Sequence, residues 1–301
     1  MPSKDYVYKT FGDNQECAAT VHYDDSDKSS KAIAIASHGG AFSTGHKDII
    51  PEGQIDWLVK NGFVVVAYNY RLCPNVSFLE GPVGDTIEVY HWSRKTLPGL
   101  LRRDVGLEID ADRITAFGQS AGATLIMTLG YESPRPKALL NIYGAAYFTD
   151  EWWSKPVPMP WEESDPAIMA RVFDEVIQTS TDSKDFDISH PRAAWVCDKL
   201  KHGRLLSTLC GHMYEQCDPI TMKGGLTKDF PPTYFLHGDQ DVLVNVKIAE
   251  KTVEGLKKLG VETGIAVMEG GGHGYDFALK DGDKDFEAVV KPGLEFLKSH
   301  V

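Results

Sequence analysis

The sequence predicts an α/β fold in which a mostly parallel central sheet, flanked by helices, carries a helical cap inserted after the sixth strand. Apolar runs of strand length alternate with stretches of helical periodicity, and no internal repeat occurs, which is typical of a doubly wound sheet. The stretch 151–229 contains no run typical of a buried parallel strand and is too long for a loop. We therefore expect a core formed by 1–150 and 230–301 and a cap subdomain formed by 151–229.

The strands of the predicted core follow from apolar and β-branched runs. The run 63–70, F-V-V-V-A-Y-N-Y, is almost entirely apolar or aromatic, which is typical of a central parallel strand. Two shorter runs on either side of a turn at Gly12 have the character of edge strands. In chain order, the predicted strands are 6–9, 18–23, 31–37, 63–70, 114–117, 138–143, 233–237 and 263–268.

The predicted helices have an apolar face or recognisable ends. The helix 53–61 is expected to end at Asn61-Gly62 and the helix 244–259 at Gly260, because glycine is common just beyond the end of a helix. The other predicted helices are 85–96, 121–129 and 286–298.

Composition excludes several classes of function. The chain has 301 residues, 42% of them hydrophobic, which is enough for one large α/β domain. Its net charge of −12 and the lack of a Lys/Arg-rich run argue against nucleic-acid binding. No apolar run approaches the roughly 18 residues of a membrane helix, and the first residues lack the apolar core of a signal peptide. We therefore expect a cytoplasmic protein that acts on a small-molecule substrate, without a nucleic-acid or membrane partner. The oligomeric state stays open, with a homodimer as one alternative.

Five cysteines, an odd number, occur without an export signal, so we expect reduced thiols. The spacing of Cys210 and Cys217 matches no standard zinc pattern. The sequence therefore predicts neither a metal nor another cofactor.

The residues Gly118-Gln119-Ser120-Ala121-Gly122 form a G-x-S-x-G pattern between a predicted strand and a predicted helix. The pentapeptide alone often occurs by chance, but its position between a predicted strand and a predicted helix favours a functional turn. Two glycines let the chain turn sharply from strand to helix, because a Cβ on either side would collide with the backbone. A serine at the centre of such a turn exposes its hydroxyl, so we predict that Ser120 is a nucleophile.

A serine nucleophile needs a base, an acid that orients the base, and hydrogen-bond donors for the oxyanion. The run His38-Gly-Gly-Ala-Phe42 follows a predicted strand. Its glycines leave backbone N–H groups free to point into a cavity, so Gly39 and Gly40 are candidate oxyanion-hole donors together with Ala121. The alternative is an ordinary Gly-Gly turn.

The acid and the base are expected after the serine in the chain. Asp241 follows His237-Gly238 at the end of a predicted strand and is the candidate acid; Asp239 is the alternative, although it is better suited to cap the turn. His273 lies in a glycine-rich loop after the last strand and is the candidate base. The alternative for His273 is a surface histidine without a catalytic role.

The predicted cap contains four tryptophans, Trp152, Trp153, Trp161 and Trp195. Aromatic side chains are common in the walls of substrate pockets. We take Phe42, Trp152, Trp153 and Tyr275 as candidate substrate-binding residues. The alternative is that the aromatic residues of the cap only pack it onto the core.

Five segments together resemble a known family. They are H-G-G-A-F at 38–42, Y-R-L-C-P at 70–74, D-A-D-R-I-T-A-F-G-Q-S-A-G at 110–122, D-V-L at 241–243 and H-G-Y at 273–275. The chain resembles the α/β-hydrolase superfamily and, within it, the hormone-sensitive-lipase-like carboxylesterases. The resemblance implies hydrolysis without metal or cofactor by a triad of Ser120, Asp241 and His273. Ala41 stands where most members have a third glycine.

We therefore expect a carboxylesterase-type serine hydrolase that cleaves an ester of a small, apolar or aromatic substrate through an acyl-enzyme. An amidase or arylformamidase would use the same triad, as would a hydrolase or acyl-transfer enzyme of specialised metabolism. A non-catalytic ligand-binding protein on the same fold is a further alternative.

Overall fold

The computed structural model describes residues 1–27, 29–158, 162–181 and 187–301. Its centre is an eight-stranded sheet with the order β1-β2-β4-β3-β5-β6-β7-β8. Only the pairs β1–β2 and β2–β4 are antiparallel. The strands are β1 Ser3–Phe11, β2 Gln15–His22, β3 Lys31–Ser37, β4 Phe63–Tyr68, β5 Ile109–Gln119, β6 Leu139–Ile142, β7 Thr233–Gly238 and β8 Thr263–Met268. The prediction of a mostly parallel sheet is confirmed.

Ten α-helices occur in the described residues. They are α1 Glu52–Lys60, α2 Gly84–Lys95, α3 Leu97–Val105, α4 Ala121–Thr128, α5 Pro166–Ala170, α6 Pro191–Lys201, α7 Leu205–Cys210, α8 Tyr214–Cys217, α9 Val246–Lys258 and α10 Lys291–Ser299. A π-helical turn at Phe286–Val290 precedes α10. No helix in this part of the chain is long and apolar enough to cross a membrane.

The side chains of the central strands point alternately to the two faces of the sheet, so the core has two layers. Ile33 and Ile35 of β3 pack into a cluster with α2, α3, α4 and α9, whereas Ala34 packs into a second cluster with α1 and α10. Successive side chains of a strand point to opposite faces, so every residue of β3 and β4 is buried on one side or the other. The continuous apolar runs that predicted these strands reflect this burial on both faces.

The helix α3 was not predicted. Pro98 interrupts the helical pattern that ends α2, because proline cannot continue the hydrogen-bond ladder of a helix. Proline is compatible with the first turn of a new helix, and here a second helix begins at Leu97. Leu97 and Leu101 bury its apolar side, and Gly106 ends it with a φ of 65°.

Between β6 and β7 the described residues form the helices α5 to α8 and no strand. Asp218 ties this part to the core, because its carboxylate accepts hydrogen bonds from the backbone N–H groups of Tyr147 (3.2 Å) and Phe148 (2.8 Å). Residues 159–161 and 182–186 of the predicted cap lie outside the described residues, and the domain boundaries at 151 and 229 stay a prediction.

A buried ion cluster joins the edge of the sheet to its centre. Asp85 of α2 is fully buried and accepts hydrogen bonds from the Arg71 guanidinium at 2.8 Å and from Lys9 Nζ at 2.8 Å. Arg71 comes from the Y-R-L-C-P segment after β4, and Lys9 lies on β1. Two cations and one carboxylate therefore hold three distant segments together.

We predict that Asp85→Ala lowers the free energy of unfolding by about 3–5 kcal/mol, because it leaves the buried Arg71 guanidinium with only the exposed Glu80 carboxylate, 3.3 Å away. Urea unfolding measures the loss. Asp112→Ala is the control: it breaks the exposed pair of Arg94 and Asp112, whose atoms are 2.8 Å apart, and should cost about 1 kcal/mol or less. Equal losses in the two variants would contradict the prediction.

Candidate active site

Ser120 lies at a sharp turn between β5 and α4, with φ 52° and ψ −118°. A non-glycine residue in this region carries strain of about 1–3 kcal/mol, so the surroundings must hold it in place. The Ser120 N–H donates to Ile142 O of β6 at 2.9 Å. A Cβ at Gly118 would lie 2.5 Å from Gly122 C, and a Cβ at Gly122 would lie 2.1 Å from Ser37 O. Both glycines are therefore required for the steric reason given from the sequence: a Cβ at either position would collide with the backbone.

The structure brings Ser120, His273 and Asp241 together in one hydrogen-bonded chain. His273 Nε2 lies 2.9 Å from Ser120 Oγ, and His273 Nδ1 lies 2.7 Å from Asp241 Oδ2. Ser120 follows β5, Asp241 follows β7 and His273 follows β8, so the carboxyl ends of three parallel strands supply the three side chains. In this arrangement the imidazole can take the hydroxyl proton while the carboxylate holds its other nitrogen.

The Asp241 carboxylate is held from several sides. Its Oδ1 accepts the backbone N–H groups of Leu243 and Val244, each at 2.9 Å. His237 Nε2 lies 3.5 Å from Oδ2, beside its own 2.7 Å hydrogen bond with Val244 O. Burial acts to raise the pKa of Asp241, but the hydrogen bonds from His237, His273 and Val244 outweigh it and leave the pKa below its ordinary value. Asp241 is therefore ionised at neutral pH.

Asp239, the alternative acid, has a different role. Its Oδ1 accepts the N–H of Gly270 at 2.8 Å and so links the turn after β7 to the turn after β8. The side chain supports the loop and does not contact His273.

Gly39, Gly40 and Ala121 line the same cavity as Ser120. None of the three donates to an acceptor within the described part of the chain. Gly40 has a φ of 113°, and a Cβ there would lie 2.1 Å from Thr44 O, so the loop requires glycine at this position. Three free donors beside a serine hydroxyl are the arrangement that an oxyanion requires.

His38 shapes the loop that carries these donors. Its ring stacks on Tyr70 at 4.3 Å, and its Nδ1 lies 2.6 Å from Gly39 O. Burial lowers the pKa of His38 to about 4, so the ring is neutral at physiological pH. Because a neutral imidazole carries one proton, the contact with a carbonyl oxygen assigns that proton to Nδ1.

A cavity of about 1130 Å³ opens above Ser120. Phe42, Trp152 and Trp153, three of the four candidate substrate-binding residues, are among the residues that line it. Hydrogen bonds fix both indoles: Trp152 Nε1 donates to Leu243 O (3.4 Å), and Trp153 Nε1 donates to Ala146 O (3.0 Å). Trp195 instead packs inside the cap with Val172, Val196 and Leu205, and Trp161 lies outside the described residues.

Tyr275 is not part of the cavity wall, which corrects its assignment as a substrate-binding residue. Its ring packs on Tyr143 at 5.9 Å, pointing into the core. The chain turns at Gly274, where φ is 80°, and this turn directs Phe277 to the cavity instead. Phe277 is 48% exposed. No local signal distinguishes Tyr275 from Phe277, because the choice depends on the direction of that turn.

The cap contributes wall residues that the sequence did not single out. They are Lys155, Val157, Glu175, Gln178, Ser180, Thr181, His190, Pro191, Arg192, Ala193, Lys199, Leu200, Gly203, Leu205 and Leu206. Arg192 is buried, and its guanidinium donates to Asn75 Oδ1 (2.6 Å) and Glu175 Oε2 (2.8 Å). It thereby fastens the cap to the loop after β4. No sequence motif marks these positions, since they meet only when the cap folds over the core.

One group of side chains in the described residues has metal-binding atoms close together, namely Glu163, Asp198 and His202. Arg204 and Lys199 already pair with Asp198, at 3.1 and 2.8 Å, and the group does not line the wall around Ser120. The cations compensate these carboxylates, so the group does not favour a metal.

A family model described as the α/β-hydrolase fold matches residues 34–277. This match covers most of the chain and includes the serine, the aspartate and the histidine described above. The chain belongs to the α/β-hydrolase fold family. The resemblance seen in the sequence, the predicted fold class and the prediction of a hydrolase are thereby confirmed.

Regions of much longer enzymes are similar to this α/β-hydrolase. The non-reducing polyketide synthase prhL of Penicillium brasilianum is 29% identical over 96% of this chain and 14% of its own length. The non-reducing polyketide synthase Preu6 of Preussia isomera is 28% identical over 88% of this chain and 13% of its own length. The chain thus spans a small part of the length of the curated relatives it matches.

Solved structures share the fold at low identity. A thermophilic esterase from Thermogutta terrifontis, with propionate bound, has a TM-score of 0.63 and 18% identity, covering 99% of this chain and 92% of its own. A protein of unknown function from Staphylococcus aureus has a TM-score of 0.70 and 17% identity, covering 99% of both chains. At these identities the likeness concerns the fold.

The lowered pKa of Asp241 predicts how stability depends on pH. A carboxyl group whose pKa is lower in the folded state stabilises the fold above its unfolded pKa of about 4, and this contribution is lost as the pH falls. The free energy of unfolding of the wild type, relative to that of Asp241→Asn, should therefore fall by about 1 kcal/mol between about pH 5 and pH 3. Urea unfolding of both proteins across this range measures the difference. A difference between the two free energies of unfolding that stays constant or grows as the pH falls would contradict the prediction.

Proposed function

We propose that this α/β-hydrolase is a serine hydrolase that cleaves a carboxylic ester of a small, apolar or aromatic substrate through an acyl-enzyme. The observation that carries the proposal is the hydrogen-bonded chain from Asp241 through His273 to Ser120 Oγ, which ends in a cavity beside three unpaired N–H groups. A nucleophile, a base, an acid and oxyanion donors are the parts that acyl transfer requires.

In the proposed mechanism, His273 Nε2 takes the proton of Ser120 Oγ as the oxygen attacks the ester carbonyl. The N–H groups of Gly39, Gly40 and Ala121 stabilise the oxyanion, and each such donor contributes on the order of 10²–10³ in rate. Asp241 holds Nδ1–H and stabilises the imidazolium. The imidazolium returns the proton to the leaving alkoxide, and water, activated by the same base, then releases the acid.

The walls of the cavity support the proposed substrate class. Phe42, Trp152 and Trp153 line the cavity that contains Ser120, where an acyl group or its alcohol partner would lie. The volume of about 1130 Å³ is slightly above the range of about 300–1,000 Å³ that is typical of small-molecule sites, so the cavity has room for an aromatic substrate.

A second candidate is acyl release or transfer on a biosynthetic intermediate. The similarity to regions of non-reducing polyketide synthases, over as much as 96% of this chain, favours it. The same serine would accept an aromatic acyl group from a thioester and pass it to water or to an alcohol. Both candidates share the acyl-enzyme and differ in the leaving group.

We predict that Ser120→Ala lowers kcat by on the order of 10⁴-fold or more, because no other group can form the acyl-enzyme. Hydrolysis of p-nitrophenyl acetate by the purified protein measures the loss. Ser93→Ala serves as the control, since Ser93 is also buried but does not line the cavity. A fluorophosphonate probe should label the wild type at Ser120. An unlabelled wild type would favour a non-catalytic ligand-binding protein.

We predict faster turnover of short, medium and aromatic acyl groups than of chains beyond about twelve carbons, because Phe42, Trp152 and Trp153 line the cavity and aromatic surfaces suit compact or planar groups. A series of p-nitrophenyl esters of increasing length, with a benzoate, measures the preference. Thioesters of the same acyl groups test the second candidate, and N-formylkynurenine tests the amidase alternative. A maximum at the longest chains would contradict the prediction.

A further inference from the structure

A second buried carboxylate lies three residues beyond His273 and has no part in the mechanism above. Asp276 is 1% exposed and accepts hydrogen bonds from Gln54 Nε2 at 2.6 Å and from the Tyr143 hydroxyl. Gln54 Oε1 in turn accepts a hydrogen bond from Gln119 Nε2 at 2.8 Å. We call these four residues the Asp276 network. It is buried throughout and joins the base loop, α1, the end of β6 and the residue just before Ser120.

The carboxylate determines the direction of every hydrogen bond in this network. An ionised carboxylate can only accept, so the Gln54 amide must turn its NH₂ group toward Asp276. This leaves the Gln54 carbonyl oxygen to accept from Gln119. Replacing the carboxylate by an amide would put a second donor opposite Gln54 or Tyr143 and break this order.

The charge of Asp276 lacks a permanent cation. Among the described residues, no Lys or Arg forms an ion pair with it, and its two contacts are with neutral donors. Burial raises the pKa of Asp276, although the hydrogen bonds from Tyr143 and Gln54 and the nearby His273 oppose the increase. In its ionised form, a buried carboxylate without a counter-ion favours a positive charge that forms nearby.

Tyr143 connects this anion to the base. Its ring lies 4.7 Å from the His273 ring, at 55° to it, and its hydroxyl donates to Asp276. Its backbone is held with a φ of 46° by the hydrogen bond from Tyr143 N to Leu236 O at 2.8 Å. A phenol that donates to a carboxylate has an electron-rich ring, and such a ring attracts a cation.

We propose that Asp276 is a positioning residue for His273: through Tyr143 and Gln54 it holds the base loop against the nucleophile turn, and its charge favours the imidazolium that forms during acyl transfer. The inference rests on the proposed function. The other polar or titratable groups around this base are His237 of β7, Asp241 after β7, Ser120 at the turn, Tyr143 and Tyr275. Of these groups, Asp241 and Asp276 supply the negative charge.

Two variants test the proposal, with p-nitrophenyl acetate as substrate. Tyr143→Phe keeps the ring and removes the hydroxyl, and Asp276→Asn keeps the volume and removes the charge. We expect each to lower kcat about tenfold or more while KM changes by less than about threefold, because Asp276 does not line the cavity and Tyr143→Phe keeps the ring that does. The double variant should be no slower than the slower single variant, since the residues act as a unit. Asp281→Asn, an exposed carboxylate of the same segment, is the control and should match the wild type.

The pH profile separates positioning by charge from a purely structural role. Asp276→Asn should extend the acidic limb of kcat/KM to lower pH, because a base without the nearby anion is protonated less readily. If Asp276→Asn does not fold, the kcat of Tyr143→Phe decides the question. Folded variants with wild-type kcat and an unchanged acidic limb would overturn the inference.

Labelling by a fluorophosphonate probe distinguishes the failure of this inference from a failure of the proposed function. A wild type that is not labelled at Ser120 contradicts the function and the inference together. A wild type that is labelled, with variants that react at the same rate, overturns the inference alone. Slower labelling of both variants, with the control unchanged, supports it.

Discussion

The close approach of three backbone segments at Ser120 is the constraint on which the site depends. The first turn of α4 packs directly against the end of β3, with Gly122 against the carbonyl of Ser37. Because β3 and β5 are parallel neighbours, their carboxyl ends meet at one edge of the sheet. The loop after β3 therefore begins beside the Ser120 turn, and Gly39, Gly40 and Ala121 line the same cavity although none of them belongs to the cap.

The base must reach this point from further along the sheet. His273 follows β8, and the strands β6 and β7 lie between β8 and β5. Tyr143, at the end of β6, fills the space under the imidazole, and its contact with Asp276 anchors the chain just beyond the base. The glycine-rich loop lets His273 extend across the strand ends to Ser120, and buried hydrogen bonds restrict the motion of this loop. Catalysis requires both, since a misplaced base loses much of its effect.

Three buried aspartates show how differently one core can compensate a negative charge. Asp85 is paired with two cations and holds the edge of the sheet. Asp241 accepts from backbone N–H groups and from His273, which lowers its pKa. Asp276 has only neutral donors, and burial raises its pKa. The first compensation is that of a structural ion pair, the second includes a hydrogen bond with His273, and the third connects to the His273 ring through Tyr143.

The sequence by itself determined most of the fold and the order of the reactive residues. Continuous apolar runs indicated the strands that are buried on both faces, and the glycines around Ser120, placed between a predicted strand and a predicted helix, indicated the sharp turn, so local patterns carried this information. The tertiary structure decided what depends on distant segments meeting. It turned Phe277 rather than Tyr275 toward the cavity, buried Trp195 within the cap, and joined Asp276 to Gln54. No local pattern encodes these contacts, because each depends on where a different segment of the chain packs.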